Sequence, residues 1–150
     1  MKSQLFKITL LSLLLAVSSV QAQETPIISQ DSGSEHIQFW MKTLETHPFI
    51  LLRKQAARHL GNMQNPMATP SLIKGLADAD EDVRIQSAYS LGRMSDTNAL
   101  RPLYELNEKD PSKEVQAAAR NAIDKINAHE EYKRQQKQKL KDLDSKKSAS

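Results

Sequence analysis

One pattern returns three times along this chain and limits what it can fold into. Around Leu52–Met63 the chain reads LRKQAARHLGNM, around Val83–Met94 VRIQSAYSLGRM, and around Val115–Ile126 VQAAARNAIDKI. Leu52, Val83 and Val115 open the copies, and Leu60, Leu91 and Ile123 follow eight residues later in each. The openers stand 31 and 32 residues apart. Within each copy the apolar residues recur at helical spacing, and a repeat of about thirty residues built from helix pairs cannot bury its apolar faces except by stacking on its neighbours. The expected class is therefore all-α, a short α-solenoid of antiparallel helix pairs. No mature segment shows the alternation of a strand.

The spacing predicts three pairs. In the first, Ile37, Trp40, Met41 and Leu44 share one face. His47-Pro48 ends that helix and Pro48 opens the next, Phe49–Asn62, which Gly61 closes as a left-handed residue. The second pair begins within Pro66–Ala77, with Leu72, Ile73 and Leu76 inward. There Pro70 either bends the helix or stands at the first position of a shorter one capped by Thr69. The acidic Asp78–Asp82 segment sits at the start of the Val83 helix, where free N–H groups and the helix dipole favour carboxylates. The third pair starts at Ser95-Asp96, turns Leu100, Leu103 and Leu106 inward, and ends with a helix over Ser112–Ala128 that Asp110-Pro111 caps and begins. On a helix wheel each opener and the residues four, seven and eight later face the core. Those two, six and nine later face away: Lys54, Arg58 and Gly61, then Ile85, Tyr89 and Gly92, then Ala117, Asn121 and Asp124.

The ends differ in composition. Lys2 and Lys7, the apolar run Ile8–Val17 and the small-x-small triplet Val20-Gln21-Ala22 read as a secretory signal peptide cut before Gln23. The run is shorter than the roughly 18–20 residues of a membrane span, so no span is expected after cleavage. The chain divides into a signal peptide (1–22), a polar disordered leader (23–34), the repeat domain (35–128) and a charged C-terminal tail (129–150). That tail reads either as a fraying extension of the last helix or as a solvated tail, with its composition favouring the second. It holds seven Lys and Arg against four acids, which leaves the repeat domain slightly acidic. A body of that charge neutralises phosphates poorly, so nucleic acid is not an expected partner. With no cysteine, no disulfide supports the fold.

The run D-x-D-x-D-V-R-x-x-S-A-x-x-L-G over Asp78–Gly92 resembles HEAT repeats, in particular the short type similar to those of phycobilisome-lyase proteins. The resemblance covers roughly residues 34–128. It implies that the second helix of each pair lines a concave side. It also implies that the Arg after the opener bonds to an Asp in a loop of the stack, with Arg84 and Asp80 or Asp82 matching and Arg53 at the same place. Gln116 and Asp124 replace Arg and Gly in the last copy, and the first copy has Glu45–Pro48 in place of the acidic loop. Atypical first and last copies suit capping repeats. The resemblance implies binding or scaffolding; a few relatives attach bilins, but an export signal and a short chain do not suit that activity.

The residues point the same way. There is no cysteine and no G-x-S-x-G nucleophile turn. His36, His47, His59 and His129 are scattered, with no H-E-x-x-H, and read as surface histidines. The Asp78, Asp80, Asp82 spacing lacks the glycine and the closing glutamate of a calcium loop. The expectation is no catalysis, no cofactor and no metal. What remains is the outward stripe: Ile85 and Tyr89 as an apolar pair, with Lys54 and Arg58 at one edge, as a partner-binding surface. The function expected is an exported, periplasmic or secreted adaptor that binds a protein or peptide. The alternative is an accessory subunit or lyase-like enzyme component that needs a partner to complete a site.

Overall fold

A computed structural model describes residues 32–148. The signal peptide and most of the leader expected above lie outside the described residues. The described residues form six α-helices. They are α1 (Ser32–Thr46), α2 (Ile50–Met63), α3 (Thr69–Gly75), α4 (Glu81–Met94), α5 (Leu100–Lys109) and α6 (Lys113–Ser148). Short 3-10 turns, Pro66–Ala68 and Thr97–Ala99, lead into α3 and α5. The fold is an all-α solenoid of three helix pairs. The second helices form its spine, α2 packing on α4 and α4 on α6.

The core residues follow the repeat register except in the first copy, where the opener Leu52 and His59 are only half-buried at the open end of the stack. Val83, Ser87, Ser90 and Leu91 of α4 are buried, as are Ala56 and Leu60 of α2 and Val115, Ala119, Ala122 and Ile123 of α6. Ile37, Leu44, Leu72 and Leu103 close the core from the first helices.

Two differences from the sequence reading concern glycine. Gly61 and Gly92 are not outward, and Gly61 does not end its helix. Both are buried inside helices with ordinary negative φ. A Cβ on Gly61 would stand 2.5 Å from Ser90 Cβ, and one on Gly92 would stand 2.8 Å from Ala122 Cα. They are the points where successive second helices meet. The left-handed helix ends fall instead on Gln64 (φ 50°) and Ser95 (φ 53°), again 31 residues apart. The position five after the opener follows the same rule. Ala57 and Ala88 are buried between second helices, while in α6 the two equivalent positions carry the exposed Arg120 and Asp124.

The prolines also settle differently. Pro48 lies in the α1–α2 connection, and Phe49 N–H donates to His47 Nδ1. Pro70 sits in the first turn of α3, after a 3-10 turn capped by Asn65. The Thr69 hydroxyl does not cap α3 but donates to Asp96 of the next pair. Asp110-Pro111 does not start α6. Asp110 accepts from Ser112 N–H, and Ser112 Oγ caps the helix by accepting from Val115 N–H. Past Ile126, α6 runs on as helix to Ser148, so of the two readings of the tail it is the helical extension that the structure shows, with its residues exposed.

Candidate functional site

The second helices are held in register by a ladder of arginines. Arg53 Nε and Nη2 donate to the two carboxylate oxygens of Asp78, both at 2.8 Å, and Arg53 Nη1 donates to the carbonyls of His47 and Pro48. One repeat later, Arg84 Nε and Nη2 donate to Asp110 at 2.8 and 3.2 Å, and its Nη1 donates to the carbonyls of Asp78 and Ala79. Each guanidinium therefore clamps its own loop through carbonyls and the following loop through a carboxylate. This corrects the pairing of Arg84 with Asp80 or Asp82. Asp80 is occupied as the cap of α4, accepting from Asp82 N–H and Val83 N–H. Asp82 is taken by Lys54 at 2.7 Å. In the last copy Gln116 keeps only the carbonyl half, donating to Asp110 O at 2.7 Å. Burial pushes the Asp78 carboxyl up, but Arg53, the Asp80 N–H and the nearby Arg84 charge together hold it below the usual carboxylate range. Glu45 is likewise lowered, by hydrogen bonds from Lys74 and Ser71.

Beside this ladder, α2 and α4 leave an open cleft of about 160 Å³ lined by Leu51, Lys54, Gln55, Arg58 and Gln86. Leu51, Lys54, Gln55 and Arg58 lie one turn apart on α2, so helical spacing alone puts them on one face. Leu51 is 64% exposed and supplies an apolar wall. Arg58 is exposed and makes no ion pair with a described residue. The cleft can hold an anionic group against apolar surface.

Of the four residues expected to bind a partner, Lys54 and Arg58 line this cleft and Ile85 and Tyr89 do not. Ile85 is half-buried against the apolar core, while Tyr89 is exposed. Leu51, Gln55 and Gln86 were missed. A signal existed: the third residue after the opener is Gln in both the first and second copies, Gln55 and Gln86, and Ala118 in the last.

The histidines are less scattered than their spacing suggests. Trp40 Nε1 donates to His36 Nε2 at 3.0 Å, and the Trp40 ring stacks on His59 with centroids 4.2 Å apart. Among the described residues no group of three or more His, Cys, Asp and Glu is placed to hold a metal ion.

The HEAT-repeat family model matches residues 37–124, more than half of the sequence. The chain belongs to the HEAT-repeat family. It is 41% identical over 68 residues to the bilin biosynthesis protein PecE of Nostoc sp., a match covering 44% of this chain and 26% of that protein. It is 44% identical over 57 residues to PecE of Mastigocladus laminosus, covering 37% and 21%. Among solved structures it is similar to human deoxyhypusine hydroxylase in complex with glycerol, with 26% identity, a TM-score of 0.59 and coverage of 64% of this chain and 33% of that one. The chain spans about a quarter of the length of the curated relatives it matches. These relatives overturn the expectation of a non-catalytic adaptor that is not an enzyme. Two are named for biosynthesis and the third for hydroxylation, which favours the alternative of an enzyme component.

Proposed function

We propose that this protein is the HEAT-repeat component of a lyase-like enzyme acting on an open-chain tetrapyrrole, and that a protein partner completes its site. One observation carries the reading. The α2–α4 cleft has two cations, two amides and an apolar wall, yet its volume is about 160 Å³. Small-molecule sites usually enclose roughly 300–1,000 Å³. The cleft is large enough for one carboxylate-bearing part of a ligand and leaves the rest uncovered. A bilin fits that chemistry, since it joins apolar rings to propionate carboxylates. Arg58 would hold a carboxylate by its planar fork, and Lys54, whose ammonium pairs with the exposed Asp82 in the free chain, would add a second charge at its edge. Leu51 would lie against the rings. A partner surface over the cleft would remove water and strengthen both charge contacts. The PecE similarity supplies the substrate class.

Biliverdin serves as the probe. Added to the full chain, it should show a weak, saturable change in its absorption band. A stoichiometric partner captured from the native source should tighten that binding by at least about tenfold, on the order of 1.4 kcal/mol. Arg58→Glu together with Lys54→Glu should abolish the change while leaving the helical signal intact. An unaltered biliverdin spectrum with both proteins present, or equal binding by the charge-reversed variant, would overturn the proposal.

The maturation reading stands beside it as part of the proposal. Cleavage after Ala22 would deliver the protein exported, beginning at Gln23. The intact mass of the exported form decides this, and a form retaining residues 1–22 in a membrane fraction would refute it.

A further inference from the structure

We propose that the free length of α6, beyond its last buried residue Ile126, is a docking arm for an anionic lipid surface. It is independent of the tetrapyrrole reading. Every residue from 131 to 147 is exposed, so this length of helix buries no side chain in the packed core. Three of its exposed residues are large and apolar: Tyr132, Leu140 and Leu143.

Helical spacing gathers these three on one side. At 3.6 residues per turn they fall within a sector of about 80°. Lys139 borders one edge of that sector and Lys133 the other, while Lys147 falls within it near the end of the helix. Glu131 falls on the far side, Asp142 lies just beyond Lys139 and lines a shallow depression with Lys139, Leu143 and Lys146, and Asp144 lies just beyond Lys133. Two of the acids are held in local pairs, Glu130 with Lys133 and Glu131 with Arg134. An apolar stripe edged with lysines is the pattern of a helix that lies along a membrane interface, with the lysine stems over the acyl boundary and the ammonium groups at the lipid phosphates. No helix among the described residues is long and apolar enough to cross a membrane, so the arm would lie along the surface.

A second copy of the chain fits this face less well. Three large apolar side chains fall short of the roughly 1,200 Å² that a stable interface buries. Pairing two stripes would also set lysine edges against each other. An anionic surface turns those same lysines into attraction.

Co-sedimentation of the full chain with vesicles tests the proposal. Phosphatidylcholine vesicles are compared with vesicles containing about one third phosphatidylserine. The bound fraction should be several-fold higher on the anionic vesicles and should fall at 1 M salt, where the Debye length is about 3 Å. Leu140→Glu with Leu143→Glu, and separately Lys139→Glu with Lys147→Glu, should each lower binding about tenfold. Both pairs are exposed, so the melting temperature should not move, and the N-terminal segment is common to all forms and cancels. Helical content should rise when wild type meets anionic vesicles. Equal binding to the two vesicle types, or variants that bind like wild type, would overturn the proposal. So would a concentration-dependent dimer that the leucine variant abolishes, because the stripe would then serve a second copy.

Discussion

Removing the Asp110 carboxylate should test whether the arginine ladder holds the stack together. Asp110 accepts from Arg84 Nε at 2.8 Å and Nη2 at 3.2 Å, and from Ser112 N–H at 2.9 Å. The two side chains are only 13% and 5% exposed, which places the pair near the buried limit. An exposed pair contributes about 0–1 kcal/mol, whereas breaking a buried one costs roughly 3–5 kcal/mol. In Asp110→Ala the guanidinium keeps the Asp78 and Ala79 carbonyls, which offsets part of the loss. The expected cost is about 2–4 kcal/mol, or on the order of 8–15 °C in melting temperature for a domain of this size. Arg84→Gln is the informative partner change, because it copies what Gln116 does in the last repeat. It should keep a carbonyl contact but strand the buried carboxylate, so its cost should equal or exceed that of Asp110→Ala. Arg84→Gln combined with Asp110→Asn should recover part of it. Urea unfolding followed by circular dichroism at 222 nm supplies the four corners of the cycle. Arg84→Gln combined with Asp110→Ala should give a coupling energy of about 1–3 kcal/mol. A coupling below about 0.5 kcal/mol would refute the reasoning and leave apolar packing alone as the inter-repeat force.

Three further outcomes are expected. Leu91→Ala should cost roughly 2–5 kcal/mol, since Leu91 is fully buried in the middle repeat; a urea midpoint close to wild type would mean the register is wrong. Gly92→Ala should cost about 1–3 kcal/mol by forcing α4 off the Ala122 backbone, and thermal melting near the wild-type value would show that the helices part freely. Asp78 titrates below its unfolded value of about 3.9. Its stabilisation is therefore complete above that pH and lost as pH falls through the folded titration, so Asp78→Asn should flatten the acid limb of stability against pH, and an unchanged limb would assign it to other carboxylates.

The repeat register was legible because burial imposes a period. Val83, Ser87 and Leu91 face the core for the same reason that Leu60 and Ile123 do, and one helix wheel describes them all. The wheel failed where a residue's environment depends on another repeat. Gly61 and Gly92 look outward from their own pair and are buried by the next. Ile85, expected as the centre of an exposed pair, is half-buried against the core. Arg84 has four acids close in sequence, Asp78, Asp80, Glu81 and Asp82, and the carboxylate it takes is 26 residues on. The nearer Asp80 was already committed to the N–H groups of its own helix. Local sequence specifies the cap, and only the stack specifies the ion pair.

The proposed function leaves little trace in the sequence for a related physical cause. Sequence motifs for catalysis report groups that one chain must hold close together, such as a nucleophile beside its base. A site shared between two proteins needs no such constellation on either of them. On the proposed reading the α2–α4 cleft is one half of a shared site: Arg58 has no acid partner among the described residues, Leu51 stands open to solvent, and the volume of about 160 Å³ is below that of usual small-molecule sites. Each feature is costless on a free surface and so leaves little mark in composition or spacing. What separates such a half-site from an ordinary solvated helix face is the pairing around it. Arg53 and Arg84 are each spent on a loop carboxylate, and Lys54 on Asp82. Arg58, one turn beyond Lys54, is a cation of the cleft that makes no ion pair with a described residue.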